Sequence, residues 1–104
     1  MEFVEEFKRI GAIWAHDGKA QRPHVVLTTD GRHSGGYFNG RVVEENPILL
    51  ALVASEMVAR ANGAGVNTKE IDRVVGPAMG AIELAHSIAR NIHRVSGKLC
   101  FSSY

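Results

Sequence analysis

The chain is short of cysteine, of net charge and of long apolar runs, and each shortage excludes something. Its one cysteine, Cys100, cannot form an intrachain disulfide, which fits a reducing, cytosolic setting. A net charge of +1 with a pI near 8.0 gives no electrostatic reason to expect nucleic acid or an anionic membrane as partner. The longest apolar run, Ile48 to Ala54, is too short to cross a bilayer. The N-terminal MEFVEEFKRI carries acids inside its apolar pattern and is not a signal peptide. Internal repeats and low-complexity tracts are absent. What remains is 104 residues, 45% hydrophobic and 22% charged, the make-up of one small globular domain.

Hydrophobic spacing divides the chain. Phe3, Val4, Phe7, Ile10 and Trp14 recur at helical intervals, so a helix is expected over residues 2–15, docked through Phe7, Ile10 and Trp14. Gly11 weakens it by about 1 kcal/mol relative to alanine. The β-branched run at 24–29 reads as a strand, Asp30-Gly31 as a hairpin turn, and Tyr37-Phe38 as the start of a second strand after Gly35-Gly36. Tyr37 and Phe38 alternate faces, so one ring can meet the core and the other can stack on a planar ligand; both can equally be packing residues. Asn46 and Pro47 form a helix start, and residues 48–61 are apolar nearly all round, which predicts burial on most of that helix's surface. Asn62-Gly63 ends it, and a polar loop leads to a strand within 72–76.

A last helix is expected over about 79–95. Its apolar stripe is Met79, Ile82, Ala85, Ala89 and Ile92, and Ser96-Gly97 stops it before a final strand at 98–101. His86 and His93 share a face but stand seven apart with no third ligand, so no metal site is expected. Alternating helices and strands point to an α/β sheet with a right-handed crossover.

The turn between that strand and the last helix, Gly76-Pro77-Ala78-Met79-Gly80-Ala81, carries the chemistry. It lacks the Gly-Lys-Ser/Thr ending of a Walker loop and is not GxGxxG. Its small residues and the helix N-terminus nevertheless let an anion approach backbone amides. A strand-to-helix turn that needs glycine only for its geometry explains the same residues.

Two stretches together, 28–39 (TTDGRHSGGYFN) and 74–89 (VVGPAMGAIELAHSIA), resemble the orotate phosphoribosyltransferase family. Gly31, Arg32, Ser34, Tyr37, Phe38 and Asn39 match its first motif, and Gly76, Pro77, Ala78, Ile82 and Ala85 its second. Thr29 and Gly80 stand where many members carry lysine, Asp30 replaces a serine, Met79 an aromatic and Ala81 a glycine.

The resemblance implies an incomplete type I phosphoribosyltransferase (Rossmann-like) α/β fold. Residues 1–45 would form the helix and base-side flap, and 46–104 the start of the α/β core. It implies transfer of ribose 5-phosphate from PRPP to orotate or a related base, with release of pyrophosphate. Mg²⁺ would accompany PRPP, in a cytoplasmic protein of pyrimidine synthesis; an incomplete sheet would leave strand edges exposed, so a homodimer or larger homo-oligomer, or poor solubility, is expected. Thr29, Arg32, Tyr37 and Phe38 would wall the base, and residues 76–81 would hold pyrophosphate. The family's PRPP signature, two acids before a Thr/Gly-rich loop, does not occur in these residues. The chain alone is therefore expected to be inactive, and the alternative is a non-catalytic binding or oligomerisation module derived from the same fold.

Overall fold

The computed structural model describes residues 1–16, 18, 25–26, 31 and 33–104. Two compact units divide it, Met1–Val43 and Glu44–Tyr104.

In the first unit, helix α1 covers Phe3–Arg9 and not 2–15. Glu2 caps its N-terminus by accepting from the Val4 amide. The reason it stops early is Gly11, which takes a positive φ of 84°. The Gly11 amide donates to the Lys8 carbonyl at 3.1 Å, and the Ala12 amide to the Phe7 carbonyl at 2.8 Å. This crossed pair satisfies the helix's last carbonyls and turns the chain away. Strand β1, Ile13–Ala15, follows. Trp14, expected on a helix, thus lies in a strand.

Strand β2 is Val25–Val26, β3 is His33–Ser34 and β4 is Gly36–Phe38. β2 and β3 pair antiparallel, with Val25 opposite Ser34. The rest of the strand expected at 24–29, and Asp30 of the expected hairpin turn, lie outside the described residues. Strand β4 pairs with β1, setting Trp14 opposite Tyr37 and Ile13 opposite Phe38. Bonds from the His16 amide to the Gly35 carbonyl and from the Asn39 amide to the Ala12 carbonyl extend that ladder at both ends. A short helix α2, Gly40–Glu44, ends the flap.

The second unit carries the α/β core. Helix α3, Pro47–Gly63, begins where Asn46 Oδ1 accepts from the Ile48 and Leu49 amides at 3.1 Å each. Burial is confined to one side, Leu49, Leu50, Ala54 and Val58. Ile48 is 73% exposed, and Leu52 and Met57 are exposed as well, so the near-complete burial expected from the apolar run does not occur. One neighbouring helix, α4, covers one side of α3 and leaves the other to solvent.

The loop after α3 contains a 3-10 turn at Thr68–Glu70, pinned by Asn62, whose Oδ1 accepts from Thr68 Oγ1 at 2.8 Å and from the Thr68 amide at 3.3 Å. Strand β5 is Arg73–Val75, helix α4 is Ile82–Ser96 and strand β6 is Phe101–Ser103. β5 and β6 are parallel, with Arg73, Val74 and Val75 opposite Phe101, Ser102 and Ser103. A strand–helix–parallel strand unit is the basic piece of an α/β fold.

Gly97, with φ of 76°, closes α4, and the Lys98 carbonyl accepts from Ser96 Oγ at 3.3 Å and lies 2.9 Å from His93 Nδ1. Those bonds use residues 96–98 for the helix exit, which moves the last strand from the expected 98–101 to Phe101–Ser103. Val58, Ala89, Ile92 and Cys100 form the core, with Ile71, Val74 and Ile88 packed against it. On the sheet's other face Val75 is 66% exposed, and the Arg73 guanidinium lies 5.1 Å from the centre of the Phe101 ring. Among the described residues no helix is long and apolar enough to cross a membrane.

Candidate functional site

Because β5 and β6 run parallel, their carboxyl ends lie at one edge of the sheet. In open α/β sheets that edge is where ligands bind. The turn 76–81 leaves β5 there and enters α4.

Gly76 is buried and bonds through its amide to the Ser103 carbonyl at 3.0 Å. A Cβ at this position would stand 2.3 Å from the Ala81 carbonyl oxygen and 2.9 Å from Ala85 Cβ. Only glycine lets the strand end press so closely on the start of the helix. The Ala81 amide donates to the Pro77 carbonyl at 3.0 Å and closes the turn. The Ala78–Met79 peptide is cis. Pro77, Ala78, Met79 and Gly80 are exposed, Met79 at 79%. Met79 therefore belongs to the turn and not to the apolar stripe of α4, whose buried members are Ala85, Ala89 and Ile92. The stripe runs off the helix because α4 begins only at Ile82.

Packing does not account for Gly80. No atom lies within 4 Å of where its Cβ would stand, and its φ is not positive. Local packing explains Gly76 and leaves Gly80 unexplained. Ala81 makes no side-chain cap for α4, so the first-turn amides keep their donors without a side-chain acceptor at that position. An anion placed at the turn would meet these amides and the positive end of the helix dipole. Glu83, in the same first turn, is the acidic group such an anion would have beside it.

The residues expected to wall a base lie in the first unit. Tyr37 and Phe38 are both half-exposed on β4, and neither is buried in a core. Phe38 packs on Phe7 with ring centres 5.5 Å apart, and Phe7 in turn on Phe3 at 5.9 Å. Phe38 is thus engaged by a ring of α1, whereas Tyr37 stands opposite Trp14 in the ladder. Ser34 Oγ shapes the approach to β4 by donating to the Gly36 carbonyl at 2.7 Å and accepting from the Gly36 amide at 3.2 Å. Thr29 and Arg32 lie outside the described residues. The structure brings residues 76–81 together as one turn and Tyr37 with Phe38 as one strand, each within its own unit.

His86 and His93 go to different partners: His86 Nδ1 lies 3.4 Å from Ser102 Oγ, and His93 Nδ1 contacts the Lys98 carbonyl. Among the described residues no group of three or more His, Cys, Asp or Glu could hold a metal ion. The pairing of His86 with Ser102 escaped the sequence because it depends on the register of β6, which no local spacing reveals.

No protein-family model matches the chain. It is 37% identical over 81 residues to an orotate phosphoribosyltransferase of Pelotomaculum thermopropionicum, covering 78% of this chain and 40% of that protein. With the orotate phosphoribosyltransferase of a Thermoanaerobacter species it shares 31% identity over 91 residues, 88% of this chain and 41% of that one. Among solved structures it is similar to the orotate phosphoribosyltransferase of Francisella tularensis, with a TM-score of 0.67 at 19% identity over 99% of this chain and 46% of the other. At that identity the likeness shows the fold alone. The chain spans about two-fifths of the length of the curated relatives it matches. In sequence over most of its length, and in fold over nearly all of it, the chain is related to the orotate phosphoribosyltransferases and carries part of their α/β, type I phosphoribosyltransferase fold.

Proposed function

We propose that this chain supplies the pyrophosphate turn and the base-side wall of a phosphoribosyl-transfer site. In that reaction a ring nitrogen of orotate, or of a related base, bonds to C1 of the ribose of PRPP as the bond from C1 to pyrophosphate breaks. Positive charge develops on the sugar and negative charge on the leaving group. Fixed donors aimed at the leaving group stabilise that transition state. The turn Gly76, Pro77, Ala78, Met79, Gly80 and Ala81 would hold the pyrophosphate, with the backbone amides of Ala78, Met79 and Gly80 as its donors, because Pro77 has no N–H and the Gly76 and Ala81 amides bond to the Ser103 and Pro77 carbonyls. Thr29, Arg32, Tyr37 and Phe38 would wall the base. Of the two rings Tyr37 is the better placed to stack on it, because Phe38 already packs on Phe7. Mg²⁺ enters this reading as the ion carried in on PRPP.

The observation that carries the reading is the small-residue turn at the shared carboxyl edge of β5 and β6, entering a helix whose capping residue offers no side-chain acceptor. Relationship to the orotate phosphoribosyltransferases supplies the reaction class. The test is calorimetric titration of the purified chain with magnesium pyrophosphate, with a PRPP- and orotate-dependent absorbance assay alongside. Pyrophosphate binds and no nucleotide forms. Absence of pyrophosphate binding overturns the assignment of the turn, and nucleotide formation overturns the expectation that this chain is inactive by itself.

A second reading, a non-catalytic module that assembles with copies of itself, draws on the exposed apolar side chains of Val75 and Phe101. Sedimentation of the free chain separates the two: self-association with no pyrophosphate binding favours the module.

A further inference from the structure

Among the described residues β5 has a strand neighbour on one side only, β6. The Asp72 carbonyl accepts from the Phe101 amide at 2.9 Å, and the Gly76 amide donates to the Ser103 carbonyl at 3.0 Å. Alternate residues of a strand bond to the same side, so Asp72, Val74 and Gly76 serve β6. Arg73 and Val75 therefore point their amides and carbonyls to the other edge, where no described strand meets them. Within β6 only Ser102 faces outward in this way, because Phe101 and Ser103 bond to β5.

The free edge of β5 is unguarded. Edge strands are commonly blunted by a charge, a proline or a covering loop. The one charged side chain of β5, Arg73, is drawn over the Phe101 ring at 5.1 Å, toward β6 and away from the edge. Beside the edge a depression of about 360 Å³ opens between β5 and α3, lined by Met57, Ala61 and Val74 and by no residue of β6. An added strand would find backbone partners in β5 and an apolar bed under α3.

We propose that this edge pairs antiparallel with β5 of a second copy of the chain, about a twofold axis at Val74. The outward groups select that partner. They flank Val74 symmetrically, so Arg73 stands opposite the partner's Val75 and exchanges both backbone bonds with it, and Val75 does the same with the partner's Arg73. No outward group is left over. Val74 meets the partner's Val74 on the helix side, beside the depression, and each Arg73 faces a valine and not the other arginine. The two sheets become one, and the contact closes at two copies. The inference rests on the self-assembling reading above and names its surface; pyrophosphate binding at 76–81 stands or falls separately.

Sedimentation velocity of the 104-residue chain over a concentration series, with amide hydrogen exchange followed by NMR, tests it. The chain forms a dimer. The Arg73 and Val75 amides exchange more slowly as concentration rises, while the Val74 amide, which faces β6, changes less. Val75→Pro removes an outward N–H, leaves the bonds to β6 in place and weakens the dimer about tenfold or more. Val75→Thr keeps the amide, exchanges a methyl for a hydroxyl and dimerises like the wild type. A chain that stays monomeric overturns both the proposal and the self-assembling reading. A dimer that Val75→Pro leaves intact, or that Val75→Thr dissolves, overturns the edge pairing alone, and so do assemblies larger than two. If Val75→Pro alters the circular dichroism spectrum, the exchange of the wild-type Arg73 and Val75 amides decides, and no dependence on concentration overturns the proposal.

Discussion

Replacing Gly76 by alanine tests the packing that frames the turn. A methyl group there would meet the Ala81 carbonyl oxygen at 2.3 Å, the Ala81 carbonyl carbon at 3.1 Å and Ala85 Cβ at 2.9 Å. Two of the three are backbone atoms at the start of α4, so relief requires moving the helix or opening the bond from Gly76 to Ser103. Overpacking of this kind costs about 1–3 kcal/mol. Against it stands a gain of about 0.4–1 kcal/mol, because alanine restricts the unfolded chain and Gly76 does not need a positive φ. The net is a loss of roughly 1–2 kcal/mol. At about 4–8 °C per kcal/mol for a domain near this size, the melting midpoint falls by roughly 5–15 °C. Gly80→Ala is the control. It has open space and the same entropic gain, so its midpoint stays level or rises by a few degrees. Urea and thermal unfolding followed by far-ultraviolet circular dichroism measure both. A Gly76→Ala protein as stable as the wild type, or a Gly80→Ala protein that loses more than Gly76→Ala, refutes the argument that packing selects glycine at 76 and not at 80.

Asn62→Ala removes both bonds to Thr68, whose residue is 3% exposed, and leaves its hydroxyl and amide buried without that partner. The expected loss is about 1–3 kcal/mol in urea unfolding, whereas Asn62→Asp, which keeps an acceptor, preserves most of the wild-type stability. For Cys100, burial first and the Asp72 carboxylate second raise the thiol above its ordinary pKa. A raised folded value means a contribution to stability that is complete below the unfolded thiol pKa and declines as pH rises through the folded one. The urea midpoint therefore falls on the alkaline side of about pH 8.5, and Cys100→Ala flattens that fall. Iodoacetamide alkylates Cys100 more slowly in the native protein than in urea at the same pH.

Capping signals and motifs were legible where a few adjacent residues settle the outcome. Asn46-Pro47 announces α3, Ser96-Gly97 announces the end of α4, and the paired motifs announce the relationship to the orotate phosphoribosyltransferases. Periodicity misled where chance spacing carried a pattern beyond the element. Trp14 falls on the helical face of Phe3, Phe7 and Ile10, yet Gly11 bends the backbone and a strand partner in β4 is available. Met79 extends the stripe of α4 on paper and stands in the turn in space. For α3 the sequence reports a demand for burial, but whether it is met depends on what packs there. Leu49 and Val58 are covered, and Ile48 is not. In the site, the glycines looked alike until packing separated 76 from 80. The place of Tyr37 depended on Phe38 being engaged by Phe7, a contact between residues 31 positions apart.

The close approach of Gly76 to Ala81 also bears on how this turn can change over generations. The two ends of the loop are held by the strand ladder, by a helix and by a contact that tolerates one residue type. Pro77, Ala78, Met79 and Gly80 between them face solvent, and a Cβ at Gly80 would meet no atom within 4 Å. Substitutions at Met79 and Gly80 can therefore be tried one after another without endangering the fold. On the proposed pyrophosphate-binding role, a change of ligand preference at this loop is open to single mutations, whereas a change of its frame requires several at once.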